Sequence, residues 1–374
     1  MKLCIVTHKV LKGDGQGRVN YEVGSEAIRR GHQLTLLASD VSPDLLQSSL
    51  VRWVLISVRG LPTELLKNIV FSLKSAAWLR QHRAEFDVVQ VNGAITSAKS
   101  DLNAVHFVHS SWLKSPAHPI HQYRNHYGLY QWCYTSLNAI WEKQAFRRAR
   151  QVVAVSEQVK QELVEIGVPA SKIHVILNGV DVREFHPGAG DRHLLNLPEA
   201  VPLALFVGDI RLNRKNLDTV LHALERVPEL HLAVVGATEG SPYPELAQRL
   251  KLSHRVHFLG YRRDLPDLMR GCDLFVFPSR YEACTLVLLE AMASGLPIVT
   301  AATAGGSEIV TEACGAVLAD PEDLTGLALL LQQFTNDPEC RRQMGQTART
   351  IAQAHTWSSK AQAYIDLFEQ GSEP

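Results

Sequence analysis

Leu274-Phe275-Val276-Phe277-Pro278-Ser279-Arg280-Tyr281-Glu282-Ala283-Cys284-Thr285-Leu286-Val287-Leu288-Leu289-Glu290-Ala291-Met292-Ala293-Ser294-Gly295 is the stretch on which the reading of this 374-residue chain turns. Four apolar residues form a short buried strand, a polar loop follows, and Leu286 opens a helix-forming run. A loop in that position lies at the carboxyl end of a parallel strand, where open α/β sheets bind ligands. The helix start near Thr285 presents N–H groups without intrahelical partners, a natural seat for a phosphate. Glu282 precedes the helix and Glu290 lies inside it. A carboxylate between Leu289 and Ala291 either meets a partner, such as ligand hydroxyls, or sits on the helix's exposed face.

The same order recurs upstream. Leu203–Val207 reads as a strand, and Gly208-Asp209-Ile210-Arg211-Leu212-Asn213-Arg214-Lys215-Asn216 follows it directly. Arg211 offers a planar fork and Lys215 a mobile point charge, a pair suited to a diphosphate; the alternative is a solvated cationic surface. His231–Val235, Val256–Leu259 and Pro297–Ala301 are further strand candidates, separated by helical segments. The first half repeats the alternation with Lys2–Thr7, Leu34–Ala38, Val51–Val58, Asp87–Asn92, Ala104–Val108 and Val152–Val155. A helix near Arg18–Arg30 carries the stripe Val19, Val23 and Ala27. Ser156 caps another helix, with Glu157 in its first turn. Asp181–Pro202, rich in Gly, Pro, Asp and His, breaks the pattern and reads as a linker. The predicted fold class is therefore α/β, with two Rossmann-like domains facing each other across a cleft. Residues 1–181 and 182–357 form the domains. Residues 358–374 hold a last helix, Ser358–Gln370, with the amino-terminal domain as one option for its packing.

Composition narrows the class. Apolar residues make up 46% and charged residues 20%, which excludes a fibrous or disordered chain. The longest apolar candidate, Thr285 to Gly306, is broken by Glu290 and by Gly295-Leu296-Pro297, so no spanning helix is expected. The apolar run after Met1-Lys2 is too short for a secretory signal. Six cysteines without a CxxC pair disfavour a disulfide framework or a cysteine–zinc site, and a reducing cytoplasm is the expected setting. Zero net charge hides an asymmetry: 22 basic against 15 acidic residues through Glu184, then 16 against 23. Nucleic-acid binding needs a denser basic patch. An anionic substrate, an anionic lipid surface or a merely uneven solvated surface all fit the basic half.

The two loops and the order between them resemble the retaining glycosyltransferases of family 4, with the GT-B fold. The resemblance rests on Glu282-x7-Glu290, the Leu289-Glu290-Ala291-Met292-Ala293-Ser294-Gly295 helix and the Gly208-Asp209-x-Arg211-x3-Lys215 loop. Val155-Ser156-Glu157 and Asn178-Gly179-Val180-Asp181 match as well, and the likeness is strongest from about Gln151 to Val317. It implies that Arg211 and Lys215 bind the donor diphosphate, and that Glu290 accepts hydrogen bonds from the ribose hydroxyls. Glu282 and the backbone from Ala283 through Cys284 and Thr285 to Leu286 would hold the transferred sugar. Gly260–Arg263, including Arg262, would lie beside the nucleobase. Many members carry Gly within the stretch matched by Ala283-Cys284-Thr285, so a differently shaped sugar pocket is expected, which leaves the donor sugar open.

In the amino-terminal half, Lys12-Gly13-Asp14-Gly15-Gln16-Gly17-Arg18 follows the first strand. Asn20 stands where a GxGxxG motif needs its third glycine, which weakens an NAD reading. Gly15 and Gly17 permit positive φ and close approach to a ligand. The resemblance implies that this loop lies near the donor phosphate and the acceptor, and that a histidine reaches the transferred sugar. His109, just past a strand, takes that role; His106 competes but falls within the strand. Arg18 and Trp112 are the candidate acceptor contacts. Trp112 opens a stretch rich in His, Tyr and Trp that reads as acceptor-cleft lining or as an amphipathic face on a membrane. His118, His121 and His126 match no common metal spacing. Asp-x-Asp is absent from the chain, so no metal and no cofactor are expected, cations and a helix terminus doing the electrostatic work.

The predicted activity is a retaining hexosyltransferase, with His109, Arg211, Lys215 and Glu282 as catalytic residues. Its donor is a nucleotide sugar such as a UDP-, GDP- or ADP-hexose, and its acceptor a carbohydrate or lipid-linked hydroxyl. The expected location is cytoplasmic, with peripheral membrane contact through the basic half as one option. The alternatives are a nucleotide-sugar epimerase of the same fold, for which no extra acid/base residues are apparent, and a non-catalytic sugar-nucleotide sensor.

Overall fold

The computed structural model of the chain describes residues 1–371. Two compact units divide it: residues 1–179 together with the helix Trp357–Gly371, and residues 180–356.

The first unit is built on seven parallel strands: β1 (Lys2–Val6), β2 (Gln33–Ala38), β3 (Val51–Leu55), β4 (Val88–Asn92), β5 (Leu102–Val105), β6 (Gln151–Ala154) and β7 (Ile173–Val175). Their spatial order is β3-β2-β1-β4-β5-β6-β7, so the chain winds outward one way from β1 and then reverses at β4. Leu3 to Val6 are buried between Leu34–Leu37 and Val88–Val91, as an apolar run in a sheet covered on both faces requires. The closing helix returns to this unit. Tyr364, Ile365 and Phe368 are buried, and Arg30, which caps the end of the helix Gly15–Arg29, meets Asp366 and Glu369 at 2.7 and 3.0 Å.

The second unit carries six parallel strands: β8 (Leu203–Val207), β9 (His231–Val235), β10 (Val256–Gly260), β11 (Leu274–Phe277), β12 (Ile298–Ala301) and β13 (Gly315–Leu318). The order is β10-β9-β8-β11-β12-β13, the same reversal with the switch between β8 and β11. Phe206, Phe275 and Phe277 form the aromatic centre of its core. Both loops that carry the candidate chemistry therefore leave the two strands at the switch point, where an open α/β sheet has its crevice.

Three expectations are corrected. The first helix is Gly15–Arg29, so Gly15 and Gly17 lie in its first turn and neither takes positive φ. Asp14 is the cause: its Oδ1 accepts the Gly17 N–H at 2.8 Å and starts the helix early. A side chain at Gly17 would meet the Asp14 carboxylate and the Leu11 amide at 3.0–3.1 Å, so the glycine serves the cap. β5 ends at Val105, which puts His106 beyond the strand, and β3 stops at Leu55.

Candidate active site

In the second unit, the loop after β8 and the loop after β11 are fastened to one another. Lys215 Nζ donates to Glu282 Oε1, and Arg214 approaches the same oxygen at 3.6 Å. Lys215 and Glu282 are each only 13% exposed, and the ammonium lies 5.2 Å from the centre of the Phe277 ring. Burial lowers the Lys215 pKa, partly opposed by Glu282. Arg280 holds the two loops in register. Its guanidinium donates to Asn213 O at 2.8 Å and to both Asp218 oxygens at 2.8 and 2.9 Å, and its backbone N–H donates to Arg214 O. Asn216, in a left-handed conformation with φ 65°, donates through Nδ2 to Pro278 O and Pro321 O.

From the other side, the segment after β12 supports the Glu282 loop. Glu282 N–H donates to Thr303 O, Gly305 N–H to Glu282 O, and Thr285 N–H to Gly305 O. A Cβ at Gly305 would fall 2.0 Å from Ala283 O, so only glycine allows this approach. Thr285 precedes the helix Leu286–Ala293, whose first amides have no carbonyl one turn earlier. Thr285 is 3% exposed and its hydroxyl oxygen is buried without a hydrogen-bond partner at the helix start. Ala283 is buried, while Cys284, Leu286 and Glu290 are half-buried.

Arg211 behaves differently from Lys215. Its guanidinium folds onto Asp209, Nε to Oδ1 at 2.9 Å and an Nη to Oδ2 at 2.7 Å, and is 57% exposed. The pairing lowers the Asp209 pKa. Arg262, after β10, likewise forks onto Asp264.

In the first unit, His109 opens the helix His109–Lys114. One buried carboxylate organises that helix start: Glu142, from the helix His126–Arg148, accepts from His109 N–H at 2.8 Å and from Ser110 N–H at 2.7 Å. The same Glu142 Oε2 lies 3.0 Å from His109 Nδ1, fixing the ring and leaving Nε2 as its other face. Trp112 is turned inward against Phe107 and His118 and belongs to the wall of this region, not its surface. Arg18 pairs with Glu22 at 2.6 Å and lies over the Trp357 ring. Asn20 fills the space a third glycine would leave open, its amide donating to the Thr7 hydroxyl and to Gln16 O. Buried polar atoms without partners gather along this carboxyl edge of the sheet: His8 Nε2 after β1, Asn92 Nδ2 at the end of β4, His106 Nε2 after β5, and the Ser110 and Ser111 hydroxyls. Burial pushes the His106 pKa down to about 4, and that of His8 downward too.

The roles of Glu142, Arg280 and Gly305 are set by the fold and not by any motif in the sequence. Glu142 carried a usable signal, being the one acidic residue between Asp101 and Glu157.

The fold and the two fastened loops define the GT-B class of glycosyltransferase. Residues 13–184 match the family model for glycosyltransferase family 4, and residues 191–351 match that for glycosyl transferases group 1. The chain belongs to the family 4 glycosyltransferases. A D-inositol 3-phosphate glycosyltransferase of Xylanimonas cellulosilytica is 32% identical over 250 residues, 62% of this chain and 60% of that protein. One of the same description from Corynebacterium urealyticum is 28% identical over 84% of this chain and 77% of its own length. Across the first curated relatives the matched region spans only about 60% of their length. Sucrose-phosphate synthase of Thermosynechococcus elongatus shares the fold over 99% of this chain, with a TM-score of 0.79 at 21% identity.

Proposed function

We propose that this chain transfers a hexosyl group from a nucleotide-diphosphate sugar to an acceptor hydroxyl, with retention at the anomeric carbon and without a metal. The observation that carries the reading is the Lys215–Glu282 pair at the sheet's switch point, beside a helix start with an orphaned Thr285 hydroxyl. Lys215 is poised to share its ammonium between Glu282 and a donor phosphate oxygen. Arg211 would exchange Asp209 for the diphosphate. Glu282 and the Ala283–Leu286 backbone would take the sugar hydroxyls, and Glu290 the ribose.

As the anomeric C–O bond to phosphate breaks, the acceptor oxygen bonds on the same face and its proton passes to the departing phosphate oxygen. No separate base is needed. His109, its Nδ1 side fixed by Glu142, positions the sugar or supports its developing positive charge. The unsatisfied His8, Asn92, His106 and Ser110 atoms supply polar contacts for an acceptor, either a carbohydrate or a lipid-linked hydroxyl. Among the described residues no helix is long and apolar enough to cross a membrane. We place the enzyme in the cytoplasm, with the basic half against an anionic membrane surface when the acceptor is a lipid.

The test is incubation with labelled UDP-, GDP- and ADP-hexoses and sugar or lipid-linked acceptors, with and without excess chelator. Release of nucleoside diphosphate coupled to an α-configured product from an α-donor, undiminished by chelator, is expected. An inverted product would remove the retaining mechanism. Loss of turnover restored by magnesium or manganese would assign the diphosphate to a cation. Binding without transfer would leave a sensor.

A further inference from the structure

The crossover from β4 to β5 lacks a helix. Residues 93–101 return across the face of the first unit's sheet as a loop, and so leave a gap between the flanking helices Glu64–His82 and His126–Arg148. That gap is a groove of about 300 Å³, within the range of small-molecule sites, with Ile69, Leu73 and Trp141 on its walls and Thr96 and Ala98 on its floor. It continues at Ser97, Ala98 and Arg148 into a second hollow of about 510 Å³, whose rim carries Arg80, Arg83, Lys99, Arg148 and Arg150. The transition follows one face of one helix. Ile69, Ser72 and Leu73 line the apolar part, and Ala76, Leu79, Arg80 and Arg83 line the cationic part at the helical spacing of three and four.

Among the described residues lining the hollow Asp101 is the one acidic side chain, and Arg83 meets it at 2.7 Å. Among the described residues the side chains of Arg80, Lys99 and Arg148 form no ion pair and no hydrogen bond. All three are exposed, so their charge is free to meet an anion that enters the hollow. The apolar part is equally unpartnered: Leu73 is 64% exposed at its lip.

We infer that the groove binds a single amphiphile, an alkyl chain between the two helices with a phosphate head on Arg80, Lys99 and Arg148. Arginine forks suit a phosphate, and a chain laid along Ile69, Leu73 and Trp141 leaves water. The head sits where Asp101 and Arg150 enter β5 and β6, the amino edge of the sheet, whereas His109 and the Asp14-capped helix stand at the carboxyl edge. The bound amphiphile is therefore a resident or regulatory lipid and not the group that accepts sugar, and its binding does not depend on the transferase reading.

The test uses the full chain and monomeric oleoyl lysophosphatidic acid below its micelle concentration, followed by calorimetry and native mass spectrometry. One molecule per chain is expected, bound at least tenfold more tightly than oleoyl lysophosphatidylcholine and at least a hundredfold more tightly than inorganic phosphate. Ser72→Trp, which fills the apolar part, and the charge reversal Arg80→Glu with Arg148→Glu should each weaken binding at least tenfold. Leu73→Ser, which removes an apolar contact at an exposed position of the lip, should weaken binding too and replaces Ser72→Trp should that variant lower the unfolding midpoint. Equal binding of the choline lipid, equal binding of inorganic phosphate, or unchanged affinity in the groove-filling and charge-reversal variants would overturn the site. Attraction to anionic vesicles with no monomer bound would do so too, by reducing the feature to surface charge.

Discussion

Two cations four residues apart in the sequence, Arg211 and Lys215, live in different dielectric worlds. Lys215 is buried against Glu282, so its removal leaves that carboxylate with only the more distant Arg214, a loss below the roughly 3–5 kcal/mol of a wholly unpaired buried charge. Arg211 and Asp209 are 57% and 42% exposed, and such surface pairs contribute about 0–1 kcal/mol. Lys215→Ala should therefore lower both donor affinity and the unfolding midpoint, whereas Arg211→Ala should lower donor affinity alone. Each lost charge-assisted phosphate contact is worth about 1.5–3 kcal/mol, or ten- to a hundredfold in Kd by titration with nucleoside diphosphate. Unchanged affinity in both variants would remove the clamp. His106 makes a pH prediction of the same grain. Its pKa falls from 6.5 unfolded to about 4 folded because burial disfavours the charged ring. The stability this gives is whole above pH 6.5 and is lost as pH falls toward 4, an effect of at most about 3 kcal/mol. His106→Gln should narrow the fall in unfolding midpoint between pH 7 and 4, and a parallel shift across that window would contradict a neutral buried ring. Residue types and spacing made Lys215, Glu282, Glu290 and His109 legible as candidates. Glu142 and Arg280 were not, because their partners are brought near only by the fold: 33 residues separate His109 from Glu142, and 62 separate Arg280 from Asp218.

At the scale of elements, strand positions in the second half were read to within a residue, because parallel strands buried on both faces appear as unbroken apolar runs. β7 and β13 escaped. Ile173–Val175 and Gly315–Leu318 are edge strands of three and four residues, too short to show a period. The early start of the first helix escaped for another reason: glycines read as loop while Asp14 was already capping. The Glu282 loop shows how much of a site depends on an element outside its motif. It takes its shape from backbone pairing with residues 303–305, and the 2.0 Å gap above Gly305 has no room for a methyl group. Gly305→Ala must push the two segments apart, an overpacking cost of about 1–3 kcal/mol. It should weaken donor binding with every motif residue intact. Calorimetric titration of nucleoside diphosphate into Gly305→Ala, beside a thermal melt, checks it; wild-type affinity would show that the loop's shape does not depend on that pairing.

At the scale of the whole chain, the path crosses between the units twice, after Gly179 and again after Thr356. The last helix thus completes a fold begun some 350 residues earlier in sequence. Its pattern was legible but its partner was not, since an amphipathic stripe says that a face is buried and not against what. The structure assigns the face to the first unit. Tyr364, Ile365 and Phe368 are at most 2% exposed, Trp357 lies beneath Arg18, and Glu369 meets both Arg30 and His32. Burying three such side chains contributes roughly 1.5–3 kcal/mol each, a sum comparable to the 5–15 kcal/mol that separates a folded domain from its unfolded chain. A chain stopped after Thr356 should therefore lose or sharply lower the unfolding transition of residues 1–179. The core of residues 180–356 contains nothing from that helix, so its own transition and its binding of nucleoside diphosphate should persist. Differential scanning calorimetry with and without nucleoside diphosphate separates the two units, because ligand raises only the transition of the unit that binds it. An unchanged first-unit transition in the truncated chain would mean that the helix adds no net stability there. Loss of nucleotide stabilisation would mean that the donor site needs more than the residues after Gly179.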